Sequence, residues 1–301
     1  MRSQKRVSIW FVVPFFLFFI LLWLVPFFFG LHMSLHNYSL INGDKGFIGP
    51  DNYIKILSEG SIYHKSFLLG LENTLIFVLL STPPLVLLSL ALALLIDHLP
   101  SRVKGCFRTV YFTSYSVSVT AVSSIFIWML KGNGGYLNNL LINLHIISAP
   151  VPWLESQPFV WLSLTIATVW WTIGYNMMLF INALNEIDTS IFEACALDGA
   201  GFWLRLRKII LPNIKNVFFF VLMTTIIASF NVYGQPRLMT AGGPGQTTKP
   251  LIMIINDTIM NKNNLGIGSA MAILMGVIIV LFSLGQYLLT REKERVLGRK
   301  R

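Results

Sequence analysis

The sequence predicts an all-α integral membrane protein with six transmembrane helices. Three observations predict it. Of the 301 residues, 54% are hydrophobic and only 12% are Asp, Glu, Lys or Arg, and the mean hydropathy is +0.67. Soluble domains carry about 25% charged residues, so the unit of organisation here is the spanning helix.

Six long, predominantly apolar stretches lack Asp, Glu, Lys and Arg altogether: 7–29, 73–96, 109–130, 158–182, 216–236 and 265–290. Each has at least 21 residues, and a helix crossing a bilayer core takes about 20. The first follows Arg2, Lys5 and Arg6, as a signal peptide would. It exceeds an apolar signal region of about 7–15 residues and no A-x-A site follows it, so it reads as a retained helix.

Lys and Arg set the orientation. Sixteen fall at the N-terminus (Arg2, Lys5, Arg6), between spans two and three (Arg102, Lys104, Arg108), between spans four and five (Arg205, Arg207, Lys208, Lys215) and at the C-terminus (Arg291, Lys293, Arg295, Arg299, Lys300, Arg301). Seven fall on the other side: Lys45, Lys55, Lys65, Lys131, Arg237, Lys249 and Lys262. The positive-inside rule then puts both termini in the cytoplasm. The net charge of +10 belongs to these loops and tails, so it serves topology and headgroup contact rather than nucleic acid.

The outer loops are long. Residues 35–72 hold GFIGPDNY, a turn followed by a short helix. Residues 131–157 start with Gly132, Gly134 and Gly135, and residues 237–264 contain TAGGPGQTT. Enzyme motifs are missing from the sequence. GGPGQTTK does not have the G-x-x-x-x-G-K-[ST] phosphate-loop spacing. The histidines (His32, His36, His64, His98, His145) show no H-E-x-x-H-type spacing, and no G-x-S-x-G occurs. Cys106 and Cys195 give no disulfide or metal framework. No catalytic residue, metal or cofactor is expected.

The stretch between spans four and five, EACALDGAGFWLRLRKIILP (193–212), is longer than a bundle connection of about 2–8 residues. Ile191, Ala194, Cys195, Ala196 and Leu197 suit a short helix, and Gly199 and Gly201 break it. Asp198 is placed to cap a second helix, whose apolar side is Phe202, Trp203, Leu206, Ile209 and Ile210. Pro212 then starts the fifth span. Pattern alone leaves two readings: a docking knob for a partner, or an amphipathic loop on the membrane surface.

This stretch resembles the EAA loop of binding-protein-dependent ABC importer permeases. The matching positions are Glu193, Ala194, Asp198, Gly199, Ala200, Ile209, Leu211 and Pro212, with Cys195 in place of the usual alanine and Leu206 in place of the usual phenylalanine. The resemblance implies that the loop docks into a cleft of an ATPase subunit. LMTAGGPGQTT (238–248) is similar to the L-T-x-G-G-P segment of maltose- and glycerol-phosphate-type carbohydrate permeases, and ENTLIFVLLSTPPLVLLSLALALLID (72–97) resembles the N-T-L start of their core. The early helix and long outer loop resemble the first of two permease partners.

The resemblance implies a type I ABC importer permease fold in a bacterial or archaeal plasma (inner) membrane. Residues 1–71 form the N-terminal tail, first helix and outer loop, 72–290 a five-helix permease core with coupling loop 193–212, and 291–301 a basic cytoplasmic tail. It also implies a second permease subunit, two ATPase subunits or one ATPase homodimer, an extracellular solute-binding protein and a carbohydrate substrate, with ATP hydrolysed on the partners.

A sugar site needs aromatic faces for the ring and amides or hydroxyls for its hydroxyl groups. The fourth span offers Trp170, Trp171, Tyr175 and Asn176, the fifth Phe230, Asn231, Tyr233 and Gln235, and the third Ser116, Ser118, Thr120 and Ser123. Trp and Tyr also populate interfacial belts. Asn231 and Tyr233 are favoured by their distance from the GGP segment in the resembling permeases. The alternative function is an ion-coupled secondary carrier for a small polar solute. Such carriers commonly place ionisable residues within their spans, and these six stretches have no Asp, Glu, Lys or Arg.

Overall fold

The computed structural model describes residues 12–298. The charges at 2, 5, 6 and 299–301, on which the orientation partly rests, lie outside the described residues, as do positions 7–11 of the first apolar stretch. Among the described residues, five helices are long and apolar enough to cross a membrane, or six if one sharply bent pair is a single span. They are α1 (Val12–Ser34), α3 (Ile62–Asp97), α7 (Phe159–Asn185), α9 (Phe202–Phe230) and α11, whose apolar part is Leu265–Leu288. The bent pair is α4 (Ser101–Ser116) and α5 (Val119–Leu130), which meet at 96°. Between the spans lie a hairpin of β1 (His36–Ser39) and β2 (Gly43–Phe47) and the short helices α2 (Asp51–Leu57), α6 (Tyr136–Asn143), α8 (Thr189–Leu197) and α10 (Leu251–Met260).

Two of these observations correct the sequence reading. The third stretch is not one straight helix. Val117 and Ser118 adopt extended backbone angles, and the Ser118 hydroxyl accepts the Ala121 N–H at 3.3 Å, capping α5. A serine before a β-branched run favours a helix start over helix continuation. The fifth span does not start at Pro212 either. It is continuous from Phe202, and a π-helical turn at Leu206–Ile210 precedes the proline. Proline cannot donate to the residue four back, and the wider turn, closed by the Leu211 N–H on the Leu206 carbonyl, fits it into an unbroken helix. The same device recurs in α1, where a π turn at Ile20–Leu24 comes just before Pro26.

The chain divides into two compact units, 12–68 with 251–280 and 69–250 with 281–298. In the first, the buried Asn52 amide donates to the Ser34 and His36 carbonyls at 2.9 and 3.0 Å, holding the hairpin to the end of α1. The GFIGPDNY stretch forms the end of β2, a turn and the start of α2. The hairpin was not foreseen, nor was α10, which buries Leu251, Met253, Ile254 and Ile255 within the expected third outer loop.

The second unit has two apolar clusters. One packs Leu90 and Leu94 of α3 against Met177, Phe180 and Ile181 of α7 and Ile214 and Val221 of α9. The other gathers Phe77, Val122, Phe126, Trp161 and Leu164. Gly174 of α7 lies directly against the Tyr111 backbone of α4, so a Cβ there would collide. That close approach brings α4 and α7 together where α4 ends.

Candidate functional site

Within the second unit a cavity of about 430 Å³ opens between α7, the end of α9 and the α4–α5 break. Six of the expected substrate-path residues line it: Trp171, Tyr175, Asn176, Asn231, Tyr233 and Gln235. Phe230 does not. It is fully buried, with its ring 5.3 Å from that of Phe282. Trp170 lines a separate apolar groove. The third-span hydroxyls of Ser116, Ser118, Thr120 and Ser123 are also absent from the lining, because the chain turns at this point and presents Tyr115 and Val119 instead. Ser123 is fully buried, and its hydroxyl has no partner among the described residues.

The Trp171 indole N–H donates to the Val117 carbonyl at 2.9 Å, and the Ser114 hydroxyl donates to the Trp171 carbonyl at 3.3 Å. These bonds fix the indole against the break, where the carbonyls at the end of α4 lack helical partners. The Tyr175 and Tyr115 rings stack at 5.1 Å and 25°, giving a two-ring aromatic platform. Asn176, only 4% exposed, donates to the Thr225 hydroxyl at 2.9 Å, tying α7 to α9. Asn231 ends α9 and donates to the Ile227 carbonyl at 2.8 Å, so its amide NH₂ caps a helix as well as lining the cavity. None of the eighteen described residues lining the cavity is Asp, Glu, Lys or Arg.

Tyr115, Thr168, Thr172, Thr224 and Thr225 also line the cavity and were missed by the sequence reading. The signal was present: Thr168, Thr172 and Tyr175 recur at spacings of four and three along α7, one face of a helix.

Two distant sequence motifs meet within the same unit. The Asn73 amide, at the N-T-L segment, donates to the Gln246 and Lys249 carbonyls of the GGPG loop at 2.9 and 3.0 Å. Inside the loop, the buried Thr248 hydroxyl donates to the Gly243 carbonyl at 2.6 Å and lies 2.8 Å from the Thr240 hydroxyl.

The 193–212 stretch forms a knob with a buried root and an exposed tip. Phe192, Leu206 and Ile210 pack on the core cluster. Glu193, Ala194, Asp198 and Gly199 are exposed, as are Leu211 and Pro212, and Ala200 is half-buried. No residue of α8 is buried. Leu197 is 90% exposed and Trp203 77%. Gly199 sits at φ +66° with open space around it, and the Ala200 N–H reaches the Cys195 carbonyl at 2.9 Å, closing the end of α8. The cap expected from Asp198 is not made: Asp198 ends α8, and the following helix starts at Gly201 without a side-chain cap. Asp188 caps α8 instead. Hydrogen bonds from the Ser190 backbone and side chain hold its carboxyl below the usual carboxylate range.

The family described as "Binding-protein-dependent transport system inner membrane component" matches residues 56–295. A probable ABC transporter permease protein, YurN of Bacillus subtilis (strain 168), is 28% identical over 286 residues, covering 95% of this chain and 96% of its own. The lactose transport system permease protein LacF of Rhizobium radiobacter is 28% identical over 82% of both chains. In fold, the chain is similar to a chain of a bacterial ABC transporter involved in the import of the acidic polysaccharide alginate. The TM-score is 0.82 at 19% identity, over 96% of each chain.

Proposed function

Because this chain belongs to the family of inner membrane components of binding-protein-dependent transport systems, we propose that it is one of two permease subunits of an ABC importer for an uncharged carbohydrate. The observation that carries this reading is the cavity, which offers stacked aromatic rings and neutral amides and hydroxyls, with no charged side chain among its described lining. A sugar ring presents C–H faces to aromatic groups and hydroxyls to amides. The lactose permease among the relatives supports a carbohydrate. A uronate or phosphate would need a cation here to offset the loss of its hydration.

The core at 72–290 provides half of the translocation path. A second permease provides the rest, an extracellular solute-binding protein delivers the sugar, and two ATPase subunits, or one ATPase homodimer, hydrolyse ATP. Glu193, Ala194, Asp198, Gly199, Ala200, Leu211 and Pro212 couple the ATPase to this chain. The root of the knob packs on the core that holds α7 and α9, so a push on its tip is transmitted to two helices lining the cavity. Both termini and the knob face the cytoplasm, as the distribution of Lys and Arg supports. A Trp203→Cys variant lacking Cys106 and Cys195 should resist an impermeant thiol reagent in intact cells and react after permeabilisation.

Uptake into proteoliposomes bearing the assembled importer tests the substrate site. Tyr175→Ala and Asn176→Ala should raise KM for a neutral sugar by roughly 5- to 150-fold, corresponding to about 1–3 kcal/mol for a lost buried contact. Unchanged kinetics in both variants would remove the cavity from the path.

A further inference from the structure

We propose that His32, His36 and Asp44 form a site for a divalent transition cation of the zinc type, in the segment joining the first and second spans. Three elements supply it: the last turn of α1 gives His32, β1 gives His36 and β2 gives Asp44. One ligand atom from each lies within 4.8 Å of the other two.

The second coordination layer is already in place. His36 Nδ1 lies 2.7 Å from the His32 carbonyl, so it carries the proton and leaves Nε2 with a lone pair. Nε2 is 3.9 Å from Asp44 Oδ2. The other carboxylate oxygen, Oδ1, accepts the Gly46 N–H at 2.9 Å. His36 and Asp44 thus each tie one atom to backbone and keep the other for the cluster, which is how metal-bound imidazoles and carboxylates are oriented. The His32 and His36 rings stack at 3.8 Å and 21°, so the exposed His32 ring has to turn for both in-plane lone pairs to meet at one ion. Ligand atoms of a tetrahedral ion with ~2.0 Å bonds stand ~3.3 Å apart, so His36 and Asp44 need to close only slightly.

Two imidazoles and one carboxylate favour zinc, copper or nickel over magnesium or calcium, and water would take the fourth position. The Asp44 side chain is 38% exposed, which leaves an entry path. A bound ion would fasten the end of α1 to both strands of the hairpin, reinforcing the clasp made by Asn52.

The test is Zn²⁺ competition against a chromophoric chelator, using the purified full chain and its His32→Ala, His32→Gln and Asp44→Asn variants. The full chain should bind one more Zn²⁺ ion than any of the variants, with at least a tenfold loss of affinity for that ion in each. The other histidines and both cysteines are common to all four proteins, so binding there cancels in the comparison. His32→Gln keeps a polar side chain of similar length, and both His32 and Asp44 are exposed, so unfolding would not mimic the loss. Equal Zn²⁺ binding by the full chain and any variant, or a tenfold preference for Mg²⁺, would overturn the site.

Discussion

Two loops of the second unit differ in how far they satisfy themselves. The GGPG loop is closed from within: Thr248 is buried and bonded to its own turn, and Asn73 holds two of the loop carbonyls. The 193–212 knob is rooted by Phe192, Leu206 and Ile210, yet its tip leaves Leu197 and Trp203 almost bare. Apolar side chains in that position gain nothing from water and would gain from a partner surface. The first loop satisfies its own bonding, whereas the second keeps apolar surface that a partner could cover.

Substitutions should separate the two loops. The largest effect is expected at Gly199, where φ is +66° and the space beside Cα is open. An Asp there strains the turn and projects into the proposed docking surface, so Gly199→Asp should insert normally but lose sugar-stimulated ATP hydrolysis and uptake by more than tenfold. Glu193→Ala should follow it in direction. Full activity in both would count against the knob as a coupling element. Next is Asn73→Ala, which removes two hydrogen bonds at a residue 4% exposed. It should loosen residues 238–249 by about 1–3 kcal/mol, read as faster amide exchange there with ATPase co-purification intact. Unchanged exchange would mean that the loop closes without Asn73. The smallest effect on stability is expected for Leu197→Ser. At 90% exposure it makes almost no contact within the chain, so melting should shift by less than about 0.5 kcal/mol while the ATPase subunit co-purifies less well.

Much of this was legible in the sequence. Spans announce themselves by long stretches without charge, because lipid gives a charged side chain no partner. What charge counting cannot see is a break made by neutral residues. Ser118 breaks the third stretch by capping the start of α5, where its residue type alone suggests polar lining. Helix α10 escaped because it is only 10 residues long and follows a glycine-rich turn. The knob was legible because helix, glycine break and apolar face occur in order. The cavity was legible as chemistry rather than as geometry. Trp171, Tyr175 and Asn176 are found by residue type, whereas Tyr115, Thr224 and Thr225 need the fold to bring α4 and α9 against α7. Phe230 had the right type but points into packing with Phe282. Residue type alone does not distinguish the core and cavity faces of an apolar helix.

The uncharged lining of the cavity has an electrical consequence. Moving one elementary charge through a potential of 100 mV involves about 2.3 kcal/mol. The described lining carries no Asp, Glu, Lys or Arg, so a movement of these side chains would carry no formal charge through the field across the bilayer. With an uncharged solute, this half of the path gives the voltage nothing to act on. Depolarising the membrane at constant ATP should leave the contribution of this subunit to the uptake rate unchanged.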